Sequence, residues 1–417
     1  MSQSATVAQR TGLLSNAIGF AGSWVVSVAN EAPTVSLAFT LAFIMAFAGL
    51  ASPLVVLVVG ILMMTIAVSY ARLNSWIAHA GAPYVWVGKI VSPGPGYATG
   101  ILAIFCSLIA NLGNITLFGT YLLGIVSPGT VFPGIVIWLL SAAMMAVVIG
   151  LAIVGVRPSI RVQIGLFVVE YAIVILFVVL ALVREIATRP HGVSAPSLSY
   201  FSLGTASGGF AAVAGGAIAA GFMYGGWEAP LIFGEETRRA RVNPGRAVLL
   251  GVGFITVWLT ILTVVFQGVA SPADMVKYGS DALGYAGSLL LPDPWGRLLS
   301  LAVLISVFAV TQSQLMEQSR LAFAMGRDRL LPGLLERVSA RFRTPWAATL
   351  ILGIIPPLAL IPYLLSASAA TTVGYVVGSA GLLYITMYVV IGLTFKSSIS
   401  AGCSSRIWAS PATIPRG

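Results

Sequence analysis

Four glutamates stand inside long apolar stretches of this chain: Glu31, Glu170, Glu228 and Glu317. An ionised carboxylate is costly in a hydrocarbon environment, so each of these groups must face a cavity, meet a donor or hold a proton. Two of them lie where the apolar run is interrupted, Glu31 directly before Ala32-Pro33 and Glu228 directly after Gly225-Gly226-Trp227. Carboxylates at such interruptions favour the binding of a small cationic or zwitterionic molecule.

The surrounding composition indicates how these groups are positioned. Of the 417 residues, 58% are hydrophobic and only 8% are charged, and the mean hydropathy is +0.98. This balance excludes a large soluble globular protein. Apolar runs of about 20 residues or more exclude a β-barrel, whose strands need only about 10. The sequence therefore predicts an all-α polytopic membrane protein.

Ten membrane spans are predicted within a single transmembrane domain, residues 14–395. They lie at about residues 14–48, 53–70, 96–126, 132–154, 162–183, 208–230, 247–269, 298–324, 347–365 and 372–394. Polar segments that contain Pro interrupt the first and the sixth span. Pro removes a backbone donor, so we expect each of these two helices to open there. Five spans in each half give two inverted repeats, about 14–184 and 208–395. Paired breaks in inverted repeats predict a transport site near the middle of the membrane.

Charge placement predicts the orientation. The net charge of +10 could suggest a nucleic acid. However, of the 22 lysines and arginines only Arg184, Arg189, Lys277 and Arg297 fall on the side opposite the N-terminus. This asymmetry predicts a cytoplasmic N-terminus, contact with anionic lipid and no nucleic-acid partner. The excess of arginine over lysine is typical of a GC-rich bacterial genome, so we expect the bacterial inner membrane.

The predicted substrate site combines the two breaks with two polar residues of the third span. Free helix N-termini at the breaks would bind an anionic group, and the carboxylates would bind a cation, with cation–π contacts from two aromatic rings. Glu228 is alternatively a cap for its broken helix, and Glu31 alternatively faces the outer water layer or a salt bridge. The two aromatic residues alternatively serve packing, and the two asparagines are alternatively interhelical hydrogen-bonding groups. The predicted residues are Asn30, Glu31, Ala32, Pro33, Thr34, Asn111, Asn114, Tyr224, Gly225, Gly226, Trp227 and Glu228.

Two glutamates outside the breaks have other predicted roles. Glu170 is isolated in FVVEYAIVILF, where burial favours the protonated carboxyl, so it is a candidate proton carrier or else a partner of a neighbouring helix. Glu317 lies three residues before Arg320, and this spacing predicts a local ion pair. We expect no metal and no cofactor, with H+ as a possible coupling ion and Na+ left open. The chain shows no catalytic constellation, so we do not expect an enzyme.

The stretch SRLAFAMGRDRLLPGLLERVSARFRTP closely resembles the end of the eighth helix and the following loop of the amino acid-polyamine-organocation (APC) superfamily permeases. The matching signature positions include Ser319, Arg320, Arg327 and Asp328. The resemblance implies a LeuT-type fold of five plus five inverted helices, with helices 1 and 6 broken. It also implies transport by alternating access of amino acids or related amines and polyamines, as symport or exchange and commonly linked to protons.

The chain departs from this family at its end. Most members continue into two more helices, whereas residues 396–417 lack apolar periodicity, which predicts a truncation after the ten-helix core. Residues 1–13 are predicted to form a cytoplasmic tail. The alternative hypothesis is therefore a substrate sensor or an inactive permease remnant. The sequence leaves the oligomeric state open.

Overall fold

The computed structural model describes residues 12–130, 132–188, 196–206, 208–366 and 369–400. These residues are almost entirely helical, with one isolated β-bridge between Ile18 and Thr237. The helices are α1 (Phe20–Glu31), α2 (Pro33–Ala48), α3 (Ser52–Trp76), α4 (Ala82–Ile90), α5 (Pro93–Val126), α6 (Gly134–Val154), α7 (Val156–Thr188), α8 (Gly209–Met223), α9 (Ala229–Ile232), α10 (Asn243–Val269), α11 (Pro272–Tyr278), α12 (Ala282–Leu290), α13 (Arg297–Arg327), α14 (Trp346–Ser366) and α15 (Ala369–Ser400).

Several apolar helices are long enough to cross a membrane. Among the described residues seven helical runs meet this length and composition, and the first of them, Phe20–Trp76, takes in α1 to α3. Helix α8 and most of α14 are shorter apolar helices. The protein is therefore an all-α membrane protein, as predicted, while the number of ten crossings stays a prediction.

Large apolar side chains on the outside of the bundle mark its lipid-facing surface. Leu139 on α6 is 56% exposed, Val168 on α7 is 61% exposed and Leu250 on α10 is 59% exposed. A soluble protein rarely leaves so much apolar surface open to water, because hydration of that surface is unfavourable. Lipid tails are the matching solvent for these faces.

Prolines set the starts of many helices. Pro33, Pro53, Pro93, Pro244 and Pro272 each occupy the first or second position of a helix. The amide groups of the first turn have no partner within a helix, so a residue without an N–H is tolerated there. Pro33 in this way restarts the first span as α2 directly after its break.

The helices pack so that the two interrupted spans lie at the centre. Helix α8 packs along α2, helix α10 packs along both α1 and α3, and helices α13 and α15 both pack along α5. Helices α5, α13 and α15 thereby surround the breaks at the ends of α1 and α8. The core of the molecule is also the location of the candidate site.

Helices also lie between the predicted spans. Between the second and third spans, α4 follows a turn at Gly81, and its buried Trp86 donates the indole N–H to Ile77 O at 2.9 Å. Between the seventh and eighth spans lie α11 and α12. Of the two predicted tails, residues 1–11 and 401–417 lie outside the described residues. The repeat boundaries stay predictions.

Candidate functional site

The two predicted breaks are present, and they face each other. Ala32 separates α1 from α2 in the left-handed backbone region, with φ 53°. Tyr224–Glu228 forms an unwound segment between α8 and α9, and Gly226 within it has φ 104°. A Cβ atom at Gly226 would lie 2.7 Å from Asn30 O, so only glycine allows this approach.

Asn30 joins the two breaks directly. Its side-chain amide donates to Gly226 O at 2.7 Å and to Glu317 Oε2 at 2.8 Å. One turn earlier on α1, the Ser27 hydroxyl donates to Trp227 O at 2.7 Å. Carbonyl groups freed by the unwinding of α8 therefore find donors on α1, which is how a membrane protein satisfies broken backbone.

Glu228 is held by a tyrosine from the far end of the chain. The Tyr388 hydroxyl donates to Glu228 Oε2 at 2.9 Å and accepts the Gly226 N–H at 3.1 Å. The Trp227 ring is stacked at 5.2 Å from the Tyr388 ring and contacts the Tyr70 ring edge-on at 5.1 Å. Tyr388 and Trp227 thereby support the unwound segment. Glu228 is the N-cap residue of α9, but its side chain forms no capping hydrogen bond within the described residues, so its role in the substrate site stays a prediction.

The predicted Glu317–Arg320 ion pair was wrong. Glu317 turns toward Asn30, whereas Arg320 forms a two-pronged ion pair with Glu236, and both of its members are 1% exposed. A planar guanidinium matches both oxygens of one carboxylate, so this partner outcompetes a neighbour on the same helix. Arg320 thereby links α13 to the segment that follows α9.

A closed cavity of about 10 Å³ lies between the breaks. This is roughly the space of one water molecule, so the structure is closed around its centre. Of the predicted site residues, Glu31, Asn114 and Gly225 line this cavity, while Asn30, Ala32, Pro33, Thr34, Tyr224, Gly226, Trp227, Glu228 and Asn111 do not. The remaining lining residues are Val35, Ser36, Phe39, Ala110, Phe222, Val310, Gln314 and Tyr384.

Glu31 is the charged group of this cavity. Its side chain is 1% exposed, and neither carboxylate oxygen has a hydrogen-bond partner in the described part of the chain. Glu170 is an electrostatic neighbour of Glu31, and its Oε1 atom likewise has no hydrogen-bond partner among the described residues. Among the described residues no lysine or arginine lines the cavity. The carboxyl groups here need a proton or a cation.

The two predicted asparagines of α5 differ in their surroundings. Asn114 lines the cavity and donates to Gln314 Oε1 at 3.2 Å. Asn111, one turn earlier, is fully buried and both its amide atoms lack a partner within the described residues. Asn114 therefore acts as an interhelical link at the edge of the site.

Several cavity residues were missed by the sequence interpretation. The aromatic rings on the cavity wall are Phe39, Phe222 and Tyr384, whereas the Tyr224 hydroxyl donates away from it to Val56 O at 3.0 Å. Gln314 belongs to the polar stretch Thr311–Gln314, which interrupts the apolar run of α13 and was a usable signal. Phe39 and Phe222 carry no such signal, since they look like ordinary core residues.

The other signature residues form a network at the end of the bundle where α13 ends. Arg327 donates to both oxygens of Glu235 at 2.9 Å, and the Tyr84 hydroxyl donates to Asp328 at 2.7 Å. Burial favours the neutral carboxyl of Glu235, but the hydrogen bonds and the charge of Arg327 outweigh this effect and hold the pKa of Glu235 below its ordinary value. Ser319 donates to Met316 O within α13. This network fastens the end of α13 to the segment after α9.

Two broken helices that meet around a closed polar cavity in an apolar helical bundle are the architecture of a membrane transporter. The amino acid permease family model matches residues 11–397, and the chain belongs to this family. The family and the relatives below are transporters, not enzymes.

Curated relatives are identical to this chain at about a quarter of the aligned residues. Mouse b(0,+)-type amino acid transporter 1 is 23% identical over 73% of this chain and 61% of its own length. The methylthioribose transporter of Bacillus subtilis is 26% identical over 69% of this chain and 62% of its own. Human Asc-type amino acid transporter 1 is 25% identical over 68% of this chain and 53% of its own length. The chain thus matches between half and two thirds of the length of these relatives.

A solved structure shows the same fold. The crystal structure of MhsT in complex with L-phenylalanine has a TM-score of 0.59 with this chain and 14% identity, and it covers 94% of this chain and 92% of its own. The chain therefore has the LeuT-type fold predicted by its resemblance to the APC permeases.

Proposed function

We propose that this protein is a secondary active transporter that moves amino acids or related amines across a membrane by alternating access. Its family membership, its fold and the amino acid transporters among its relatives support this proposal. We also propose a bacterial inner-membrane location with the N-terminus in the cytoplasm. The excess of arginine over lysine supports the bacterial location, and the asymmetric placement of the basic residues supports the orientation.

The observation that carries the proposal is the state of Glu31. Within the described residues this buried carboxylate has no hydrogen-bond partner and no lysine or arginine lines its cavity, which suits it to an ammonium group. Helix α2 begins two residues after this glutamate, with Pro33, which has no N–H. The N–H groups of Val35 and Ser36 donate to Ser306 Oγ at 3.4 Å and to Ala32 O at 2.9 Å, which leaves the Thr34 N–H for an anionic group. An amino acid would place its amine at Glu31 and its carboxylate at this helix end. A simple amine would use Glu31 alone.

Glu170 provides the coupling we propose. Glu31 and Glu170 are buried electrostatic neighbours, so ionisation of both carboxyl groups is unfavourable unless a cation lies close to them. A substrate ammonium at Glu31 brings a positive charge close to Glu170 and favours loss of the proton from Glu170. Substrate and proton movement are linked in this way.

Uptake into proteoliposomes tests the function. A thermal-shift screen of amino acids, polyamines and small amines on the purified protein would first identify a ligand. Uptake of that ligand, radiolabelled, is then measured with an imposed pH gradient, with and without Na+. We expect gradient-driven uptake, lost in Glu31→Gln and insensitive to pH in Glu170→Gln, with exposed Glu336→Gln as the matched control. Unchanged transport by Glu170→Gln at every pH would remove its proton role.

The same experiment separates the alternative. A sensor or an inactive remnant would bind the ligand, or fail to bind it, without any flux. Binding measured on the purified protein together with zero uptake in sealed vesicles would therefore reject the transporter.

A further inference from the structure

An arginine-lined groove lies on the outside of the bundle, away from the central site. It has a volume of about 340 Å³ and lies between the start of α1, the start of α7 and the segment after α9. Its three charged residues are Arg157, Arg161 and Arg238, all exposed. The other lining residues are Ala17, Ile18, Gly19, Gly22 and Ile160.

The charges of this groove are not balanced by the protein. None of its lining residues is acidic, and within the described residues none of the three arginines forms an ion pair. Within the described residues the Arg238 guanidinium forms one hydrogen bond, from Nε to Asn16 O at 3.2 Å. Like charges gathered in one concave surface repel each other, so the groove favours an anion.

The groove lies where the lipid-facing surface of α7 ends. Ile164, Val168 and Ile175 are 40%, 61% and 48% exposed and continue the helical face of Arg157 and Arg161 at spacings of three, four and seven residues. Hydrocarbon tails match this apolar stripe. Arginines at the end of such a stripe lie at the level of the lipid headgroups.

We infer that this groove binds the phosphate of an anionic phospholipid, whose acyl chain lies along the exposed stripe of α7. A free phosphate offers the same charge, but it does not use the apolar stripe that continues from the arginines. Basic pockets between helices at a membrane surface have the chemistry that anionic headgroups require. A bound headgroup contacts three elements at once, the starts of α1 and α7 and the segment after α9, and so holds their ends together.

Native mass spectrometry of the full chain in a neutral detergent tests the inference. Phosphatidylglycerol and phosphatidylcholine with identical acyl chains are titrated separately, and inorganic phosphate is added as a competitor. We expect selective retention of phosphatidylglycerol. Each arginine near a membrane surface contributes about fivefold in affinity, so the triple variant R157Q/R161Q/R238Q should bind roughly 100-fold more weakly.

Two further variants keep the result interpretable. The triple variant R246Q/R329Q/R337Q loses the same charge from exposed positions outside the groove and should bind like the wild type. The triple variant R157K/R161K/R238K keeps the charge and should retain most of the binding, which separates charge from folding. If the first triple variant fails to fold, R161Q alone should show about a fivefold loss.

Three results would overturn the inference. Equal retention of the two lipids would show that charge does not select the ligand. Equal losses in the groove variant and in the control variant would show that the groove is not the site. Full displacement of phosphatidylglycerol by an equimolar amount of inorganic phosphate would assign the groove to a free anion. None of these outcomes depends on transport activity.

Discussion

Removal of the Arg320 guanidinium is expected to destabilise the end of the bundle where α13 ends. Arg320 and Glu236 are each 1% exposed, and Arg320 also donates to Met316 O and lies 4.8 Å from the centre of the Phe233 ring. The backbone carbonyl of Glu236 accepts the N–H groups of Ala17 and Ile18 at 2.8 and 3.1 Å. The pair therefore fixes both α13 and the chain before α1 to one segment.

The magnitude follows from the burial of both charges. Loss of one partner from a buried ion pair costs about 3–5 kcal/mol, because the remaining charge is left without compensation. Arg320→Met keeps the length of the side chain but leaves Glu236 unpaired, and Glu236→Gln leaves Arg320 unpaired. The double variant contains neither charge. We therefore expect it to recover most of the stability that each single variant loses.

Thermal unfolding of the purified protein in detergent, followed by tryptophan fluorescence, measures this effect. The control is Asp293→Asn, which removes the charge of the 65% exposed Asp293 from its pair with Arg297 and should shift the midpoint little, since water replaces the lost contact. A double variant as unstable as the sum of its single variants would refute the reasoning. A single variant no less stable than the Asp293→Asn control would also refute it.

Three further variants test the two breaks and the network at the end of α13, each by the midpoint of its thermal unfolding. Gly226→Ala should lose about 1–3 kcal/mol from backbone strain alone and more from the clash with Asn30 O; an unchanged midpoint would contradict the observed backbone. Tyr388→Phe should lose about 1–3 kcal/mol, because the buried Gly226 N–H loses its acceptor. Burial lowers the pKa of His79 from 6.5, so the wild type should lose stability as the pH falls below 6.5, while His79→Gln should not show this loss.

The breaks could be predicted from the sequence because backbone chemistry is local. Pro33 has no N–H, and Gly226 permits a positive φ. Both effects depend on the residue itself and not on its tertiary contacts. The apolar runs likewise predicted the helices, since a membrane leaves the backbone few alternatives. The resemblance in the loop after α13 then supplied the LeuT-type arrangement.

The partners of the polar groups could not be predicted in this way. The Tyr388 hydroxyl donates to Glu228, which lies 160 residues earlier in the chain, and no local sequence pattern predicts that contact. Arg320 has a carboxylate three residues away, yet its partner is Glu236, because packing brings both oxygens of that group into the plane of the guanidinium. The spacing of residues along one helix shows which charged groups could pair, and tertiary packing determines which of these pairs forms.

The contacts between α1 and the unwound segment contribute to the energy of opening. The Ser27 hydroxyl and the Asn30 side-chain amide donate to the carbonyls of Trp227 and Gly226. A cavity of about 10 Å³ admits no amino acid, so entry of any such solute requires the elements around the cavity to separate. Each bond contributes only about 0.5–1.5 kcal/mol net, because water replaces it on opening. Two bonds of this size stabilise the contact by about 1–3 kcal/mol, which is in the range in which differential binding of a ligand shifts a conformational equilibrium.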